Sequence, residues 1–256
     1  MKVVILAGGL GTRLSEETKL KPKPMVEIGG MPILWHIMKI YSYHGFNDFI
    51  ICLGYKGEFI KDWFSNYYLY KNDVTFNLKN NSIKYHKDKT ENWKVTLINT
   101  GKNTMTGGRI KRLEKYIGSE TFMATYGDGL SNVDIKKLLK FHKSQKKKTT
   151  LTAVQPEGRF GALNIDGKNS ITFFGEKADN SSWVNAGFFV LEPEIFDYIK
   201  DDTTSFEKEP LENLSKDGEL KAFHHKGFWK PMDKLSDKME LEDMWKEKKA
   251  KWKIWD

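Results

Sequence analysis

The chain has 256 residues, a formal net charge of +8 and 39% hydrophobic residues, enough to bury a full core in one domain. No apolar stretch nears the roughly 18 residues of a membrane span, the first residues lack the pattern of a secretory signal, and the single cysteine, Cys52, cannot form an internal disulfide, so a cytoplasmic protein without a membrane partner is expected. The lysines are spread along the chain without zinc-finger or RRM-type patterns, so small anions, not nucleic acid, are the expected partners.

In chain order, Val3 to Leu6 reads as a strand that runs into a glycine loop. The spacing of Ile33, Leu34, Ile37, Met38 and Tyr41 predicts a helix from Pro32 to about His44. Phe49 to Leu53 is the second strand, with Cys52 as an interior residue, and Gly57 to Tyr67 a helix. Short strands are expected at Val74 to Leu78, Ile83 to His86 and Val95 to Ile98, and the stretch at about 71–100 reads as an inserted β-rich arm. A helix from Thr106 to Tyr116 opens on Gly107-Gly108-Arg109, and a strand from Phe122 to Tyr126 ends at Gly127-Asp128-Gly129. A helix from Val133 to about Lys143, a solvated Lys146-Lys147-Lys148 helix end and a strand from Thr149 to Val154 follow. The second half predicts strands at Gly161 to Ile165, Ser170 to Phe174 and Trp183 to Leu191, and short helices near Glu194 to Ile199 and Phe206 to Leu214. The last helix, about Leu235 to Lys248, carries Leu235, Met239, Leu241, Met244 and Trp245 on one broad face. His224 and His225, adjacent on an extended segment, face opposite sides and read as structural. The alternation of strand and helix predicts an α/β fold: a Rossmann-like, mostly parallel sheet flanked by helices, with a small β-rich arm. No repeat or linker divides residues 1–256, which read as one domain.

The most informative segment is the first. Leu6-Ala7-Gly8-Gly9-Leu10-Gly11-Thr12-Arg13-Leu14 follows an apolar strand. Glycines let a backbone approach a phosphate chain closely, and its N–H groups then become donors. A P-loop would need Gly-Lys-Ser or Gly-Lys-Thr, which occurs nowhere in the chain. A dinucleotide fingerprint would need a third glycine where Leu14 stands, although Glu27 falls near the place of a ribose-binding acid. A plain tight turn requires neither Arg13 nor the nearby Lys21-Pro22-Lys23-Pro24-Met25. Elsewhere, Asp128 suits either a turn or a Mg²⁺ ligand at a strand end, and Asp233 alone reads as the N-cap of the final helix.

The loop, its Arg13 and the Lys-Pro pair resemble a sugar-phosphate nucleotidyltransferase. The segments SEETKLKPKPMVEIGGMPILWH, GYKGEFIKDWF, TGGRIKR, TYGDG, GRFGALNI, NAGFFVLEP and GFWKPMD, in order from Ser15 to Asp233, extend the likeness over essentially the whole chain. Together they resemble the bacterial glucose-1-phosphate cytidylyltransferases, with Ser15 to Thr18 and Gly227 to Asp233 pointing to the cytidylyl branch. The resemblance implies transfer of a cytidylyl group from CTP to α-D-glucose 1-phosphate, giving CDP-glucose for a surface polysaccharide, with Mg²⁺ as cofactor and a homo-oligomer built partly through the arm. It implies that Leu6, Ala7, Gly8, Gly9, Leu10, Gly11 and Thr12, with Arg13, Lys23, Thr104, Arg109 and Gly127, hold the nucleotide. By the same resemblance, Arg13, Lys23, Asp128 and Asp233 would form the catalytic set, and the two aspartates would hold the metal. The resemblance also implies that Glu176, Lys177, Asn185 and Gly187 would take the sugar phosphate, and Trp229 is a further candidate for lining the sugar pocket. The chain departs from the family at Ala178, Ala186 and Lys234, which opens the choice of hexose 1-phosphate. The competing readings are the same chemistry with dTTP or UTP, and a noncatalytic sugar-nucleotide-binding subunit.

Overall fold

A computed structural model describes residues 1–86, 90–155, 162–175 and 183–256. Its centre is an eight-stranded mixed sheet. Lys2–Leu6 lies between Asp48–Leu53 and Phe122–Tyr126, parallel to both, and Lys94–Asn99 extends the parallel half beyond Asp48–Leu53. Phe189–Leu191 joins Phe122–Tyr126 antiparallel and passes the sheet on to Thr149–Val154. Beyond that lies Leu220–His224, parallel to Thr149–Val154 and not foreseen from the sequence.

Strand periodicity divides the core. Successive side chains point to opposite faces. Val3, Ile5 and Ile51 therefore pack with the helix Ile33–Tyr43 on one face, while Val4, Ile50 and Cys52 pack with Phe122, Phe189 and Phe206 on the other. Cys52 is buried, and burial pushes its thiol up to about 12, so it packs as an apolar residue.

Several elements differ from their expected bounds. Lys94–Asn99 belongs to the main sheet, and Val74–Asn77 with Ser82–Tyr85 forms a separate two-stranded hairpin within the stretch expected as an arm. The expected helix from Thr106 breaks into Thr106–Lys111 and Glu114–Ile117. The helix after Asp128 starts at Ile135 because Asp134 caps it, its carboxylate accepting from the Lys137 N–H. Trp183 to Leu191 does not form one strand: Gly187 and Phe188 take φ of 76° and 50° and split it into Val184–Asn185 and Phe189–Leu191. In the final helix, Leu235–Lys246, Leu241 is buried but Leu235 and Met239 are 39% and 60% exposed, so the apolar face is narrower than expected. Lys147 and Lys148 are paired, with Glu219 and the Tyr198 hydroxyl, so the lysine run is not a freely solvated helix end.

The C-terminal segment closes the core over one buried histidine. His36 lies among Trp35, Trp245, Trp252 and Trp255. Its Nε2–H donates to the Ile28 carbonyl at 2.8 Å, and its Nδ1 accepts from the Trp252 indole at 3.3 Å. Burial pulls its pKa down to about 4, against weaker opposing hydrogen bonds and the charge of Glu242. Unfolded imidazole takes a proton near pH 6.5, so between pH 6.5 and 4 the unfolded chain binds more protons and stability falls as pH falls. His36 should account for a loss of about 2 kcal/mol between pH 7 and pH 5. Urea unfolding of wild type and His36→Gln at both pH values measures it; an equal pH dependence in the two proteins would refute the assignment.

Candidate active site

The cleft, about 590 Å³, opens at the C-terminal ends of Lys2–Leu6 and Phe122–Tyr126, where open α/β sheets bind ligands. Its floor is the glycine loop. Ala7 N–H donates to the Cys52 carbonyl at 3.1 Å, and the Gly8 carbonyl accepts from Tyr55 N–H at 3.1 Å. Gly11 takes φ +66°, and the buried Thr18 hydroxyl bonds to its carbonyl at 3.1 Å and to that of Leu14 at 3.0 Å. The loop thus turns tightly while Gly9, Gly11, Thr12 and Arg13 line the cleft. Leu10 is 49% exposed and does not line it, so its expected contact with nucleotide is not supported by its side chain.

Arg109 is built into this floor. It is 4% exposed, which rules out the exposed salt bridge that a surface arginine would make. One terminal nitrogen donates to the Gly8 carbonyl at 2.9 Å, the other to the Thr100 hydroxyl and Gly101 carbonyl at 2.8 Å each. Burial pulls its pKa below the ordinary arginine value. A Cβ at Gly8 would run into its guanidinium, so the glycine is required by this packing.

The charged centre joins three distant segments. Lys23 stands on the short turn Lys23–Met25, stiffened by Pro22 and Pro24. Its ammonium lies 2.6 Å from the Asp128 carboxylate and 2.7 Å from that of Asp233. Burial acts to lower the Lys23 pKa, but the two carboxylates outweigh it and raise it above the ordinary value. Arg13, largely solvent-exposed, pairs with the other oxygen of Asp233 at 2.9 Å. The segments carrying the aspartates are themselves tied: Gly129–Ser131 pairs with Trp229–Pro231, and Met232 N–H donates to the Asp128 carbonyl at 2.9 Å. Asp233 is not the N-cap of the final helix. Lys234 holds that place, and Asp237 accepts from the backbone N–H of both Asp233 and Lys234. The Asp233 carboxylate is thereby left for the cleft. Two carboxylates converging on one cation form a hard-oxygen donor set that suits Mg²⁺ completed by substrate phosphates.

The opposite wall carries Asn185 and Ala186, with Thr104 and Gly127 toward the loop. Gly187 lies behind this wall; its N–H donates to the Asn185 side-chain oxygen, and a Cβ there would crowd the Tyr126 ring. Trp229 lines the cleft and donates to the Ala186 carbonyl at 3.0 Å. Glu176, Lys177 and Ala178 lie outside the described residues. Tyr126, Thr106, Ser205 and Glu207 also line the cleft and were not singled out in the sequence. Only the Tyr126 position, one residue before Gly127-Asp128-Gly129, carried a signal. His224 and His225 make separate contacts, with Trp183 and with the Phe228 carbonyl, and serve structure.

Residues 2–246 match the model of the nucleotidyl transferase family. The chain is 55% identical to the glucose-1-phosphate cytidylyltransferase of Salmonella typhi and 46% identical to a probable glucose-1-phosphate cytidylyltransferase of Bacillus subtilis, covering all of both chains in each comparison. Among solved structures it is similar to HddC of Yersinia pseudotuberculosis, with a TM-score of 0.77 and 30% identity over 95% of this chain and 99% of that one. No helix among the described residues is long and apolar enough to cross a membrane. With the family model matched over residues 2–246 and 55% and 46% identity over the full length of such relatives, the chain belongs to the nucleotidyl transferase family, among its glucose-1-phosphate cytidylyltransferases.

Proposed function

We propose that the chain transfers the cytidylyl group of CTP to α-D-glucose 1-phosphate, with release of pyrophosphate. The carrying observation is the convergence of Lys23, Asp128 and Asp233 in the lining of the glycine-loop cleft, in a chain 55% identical throughout to a glucose-1-phosphate cytidylyltransferase. A phosphate oxygen of the sugar phosphate attacks the α-phosphorus of CTP; the new O–P bond forms as the bond to the bridging oxygen breaks, and pyrophosphate leaves with the electron pair. No covalent enzyme intermediate is needed, so the protein's task is positioning and charge neutralisation.

The backbone of Gly8 to Gly11 and Thr12 would cradle the triphosphate, with Thr104, Arg109 and Gly127 completing the nucleotide side. Lys23, held between prolines, would neutralise charge as the two anions approach, and the exposed Arg13 would meet the leaving pyrophosphate. Asp128 and Asp233 would hold Mg²⁺, which when bound draws the phosphates together and offsets the charge developing on them. Asn185 would meet the sugar, supported by Gly187 behind it, and Glu176 and Lys177 are the proposed acceptor-phosphate contacts.

Pyrophosphate release with Mg²⁺, assayed with CTP, UTP, dTTP, ATP and GTP against a panel of hexose 1-phosphates, tests the reading. Release with CTP and glucose 1-phosphate alone is the expected result. Another sugar would move the specificity to the surroundings of Ala178, Ala186 and Lys234, and binding without turnover would favour the noncatalytic subunit. We further propose one nucleotidyltransferase domain whose hairpin arm, with Phe76, Leu78 and Ile83 more than half exposed, is covered in a homo-oligomer. A monomer mass by sedimentation at micromolar concentration would end that part of the proposal.

A further inference from the structure

Glu207 stands apart from the charged centre, yet it joins the two walls of the cleft. Its Oε2 accepts from the Thr106 hydroxyl at 2.6 Å and the Ser205 hydroxyl at 2.8 Å. Its Oε1 accepts from the Tyr126 hydroxyl at 2.8 Å. Thr106 begins the helix that carries Arg109, and its hydroxyl also accepts from Phe206 N–H at 2.9 Å. The segment from Asp202 to Glu207 is pressed against that helix: a Cβ at Gly107 or Gly108 would meet the backbone of Thr204 or Asp202.

The chemistry of these groups sets the direction of every bond. An ionised carboxylate only accepts, so the Tyr126 hydroxyl must donate to Glu207. Its remaining lone pairs then accept from the Asn185 amide nitrogen, 3.2 Å away. The Asn185 oxygen is in turn placed against the Gly187 N–H, at 2.9 Å. A neutral amide at position 207 would allow the hydroxyl to point either way and would weaken one of the two bonds that orient the Asn185 amide, leaving the Gly187 N–H as the other. We infer that Glu207 is a positioning residue for the sugar-phosphate half of the site, acting through Tyr126 to hold the amide nitrogen of Asn185 in place while the Gly187 N–H holds its oxygen. The inference rests on the proposed contact of Asn185 with the sugar.

The test compares wild type, Glu207→Gln, Tyr126→Phe, Asn185→Ala and the Glu207→Gln/Asn185→Ala double variant, with kcat and KM for each substrate and Tm for each protein. Glu207→Gln and Tyr126→Phe should each raise KM for glucose 1-phosphate about five- to tenfold, with kcat and KM for CTP changed by less than about twofold. On the Asn185→Ala background, Glu207→Gln should add nothing, because its effect passes through that amide. A purely structural role would lower Tm and move both KM values together. An unchanged sugar-phosphate KM in folded Glu207→Gln and Tyr126→Phe overturns the inference, as does full multiplication of the effects in the double variant. Tyr126→Phe decides the matter if Glu207→Gln does not fold. The catalytic reading fails separately, if wild type releases no pyrophosphate; dissociation constants for glucose 1-phosphate across the same variants then decide the relay.

Discussion

Asp128→Asn should abolish pyrophosphate release, a fall of at least about a thousandfold in kcat, while leaving the fold intact. The substitution keeps the volume and removes one of the two charges that converge beside Lys23. The backbone anchoring that places the residue, the bond from Met232 N–H to the Asp128 carbonyl, does not depend on its side chain. Circular dichroism should therefore match wild type, Tm should fall because the buried Lys23 loses one of its two ion pairs, and added Mg²⁺ should not restore turnover. Near-normal activity at saturating Mg²⁺ would sink the metal assignment and with it the paired roles of Asp128 and Asp233.

Arg109→Met should combine a large stability loss with loss of nucleotide affinity. The buried guanidinium serves the carbonyls of Gly8, Leu53 and Gly101 and the Thr100 hydroxyl. Methionine fills part of the volume but donates nothing, so the Gly101 carbonyl loses its donor and the Gly8 and Leu53 carbonyls each lose one of theirs, at a cost of about 3 kcal/mol. For a chain of this size that corresponds to a Tm lower by roughly 6–12 °C. The glycine loop loses its support at the same time, so KM for CTP should rise more than KM for the sugar phosphate. Arg109→Lys should recover little, because an ammonium lacks the planar fork that reaches both sides of the floor. Scanning calorimetry and steady-state kinetics check both halves; an unchanged Tm with an unchanged KM for CTP would remove Arg109 from the floor of the site.

The sequence by itself determined the first strand, its glycine loop, the strands at Phe49 and Phe122 and the rigid Lys23, because each rests on local chemistry: short continuous apolar runs, glycine freedom and proline restriction. It also placed Asp128 at a strand end, since the strand and the glycines flanking the acid are contiguous. What lies across the chain was decided by tertiary structure. Lys23 is 105 residues from Asp128 and 210 from Asp233, and no local pattern states that their charged ends meet. The same holds for Glu207, which the sequence leaves as one more acid in a predicted helix; the true helix starts at Glu209, and the bond to Tyr126 spans 81 residues. The resemblance offers Arg109 as a nucleotide contact, but its burial against Gly8 and Gly54 exists only once the sheet has formed. The strand Leu220–His224 and the break at Gly187 and Phe188 likewise depend on what packs beside them. Helix and strand propensities act over a few residues, whereas burial, ion pairing and close backbone approach exist only once distant segments are held together.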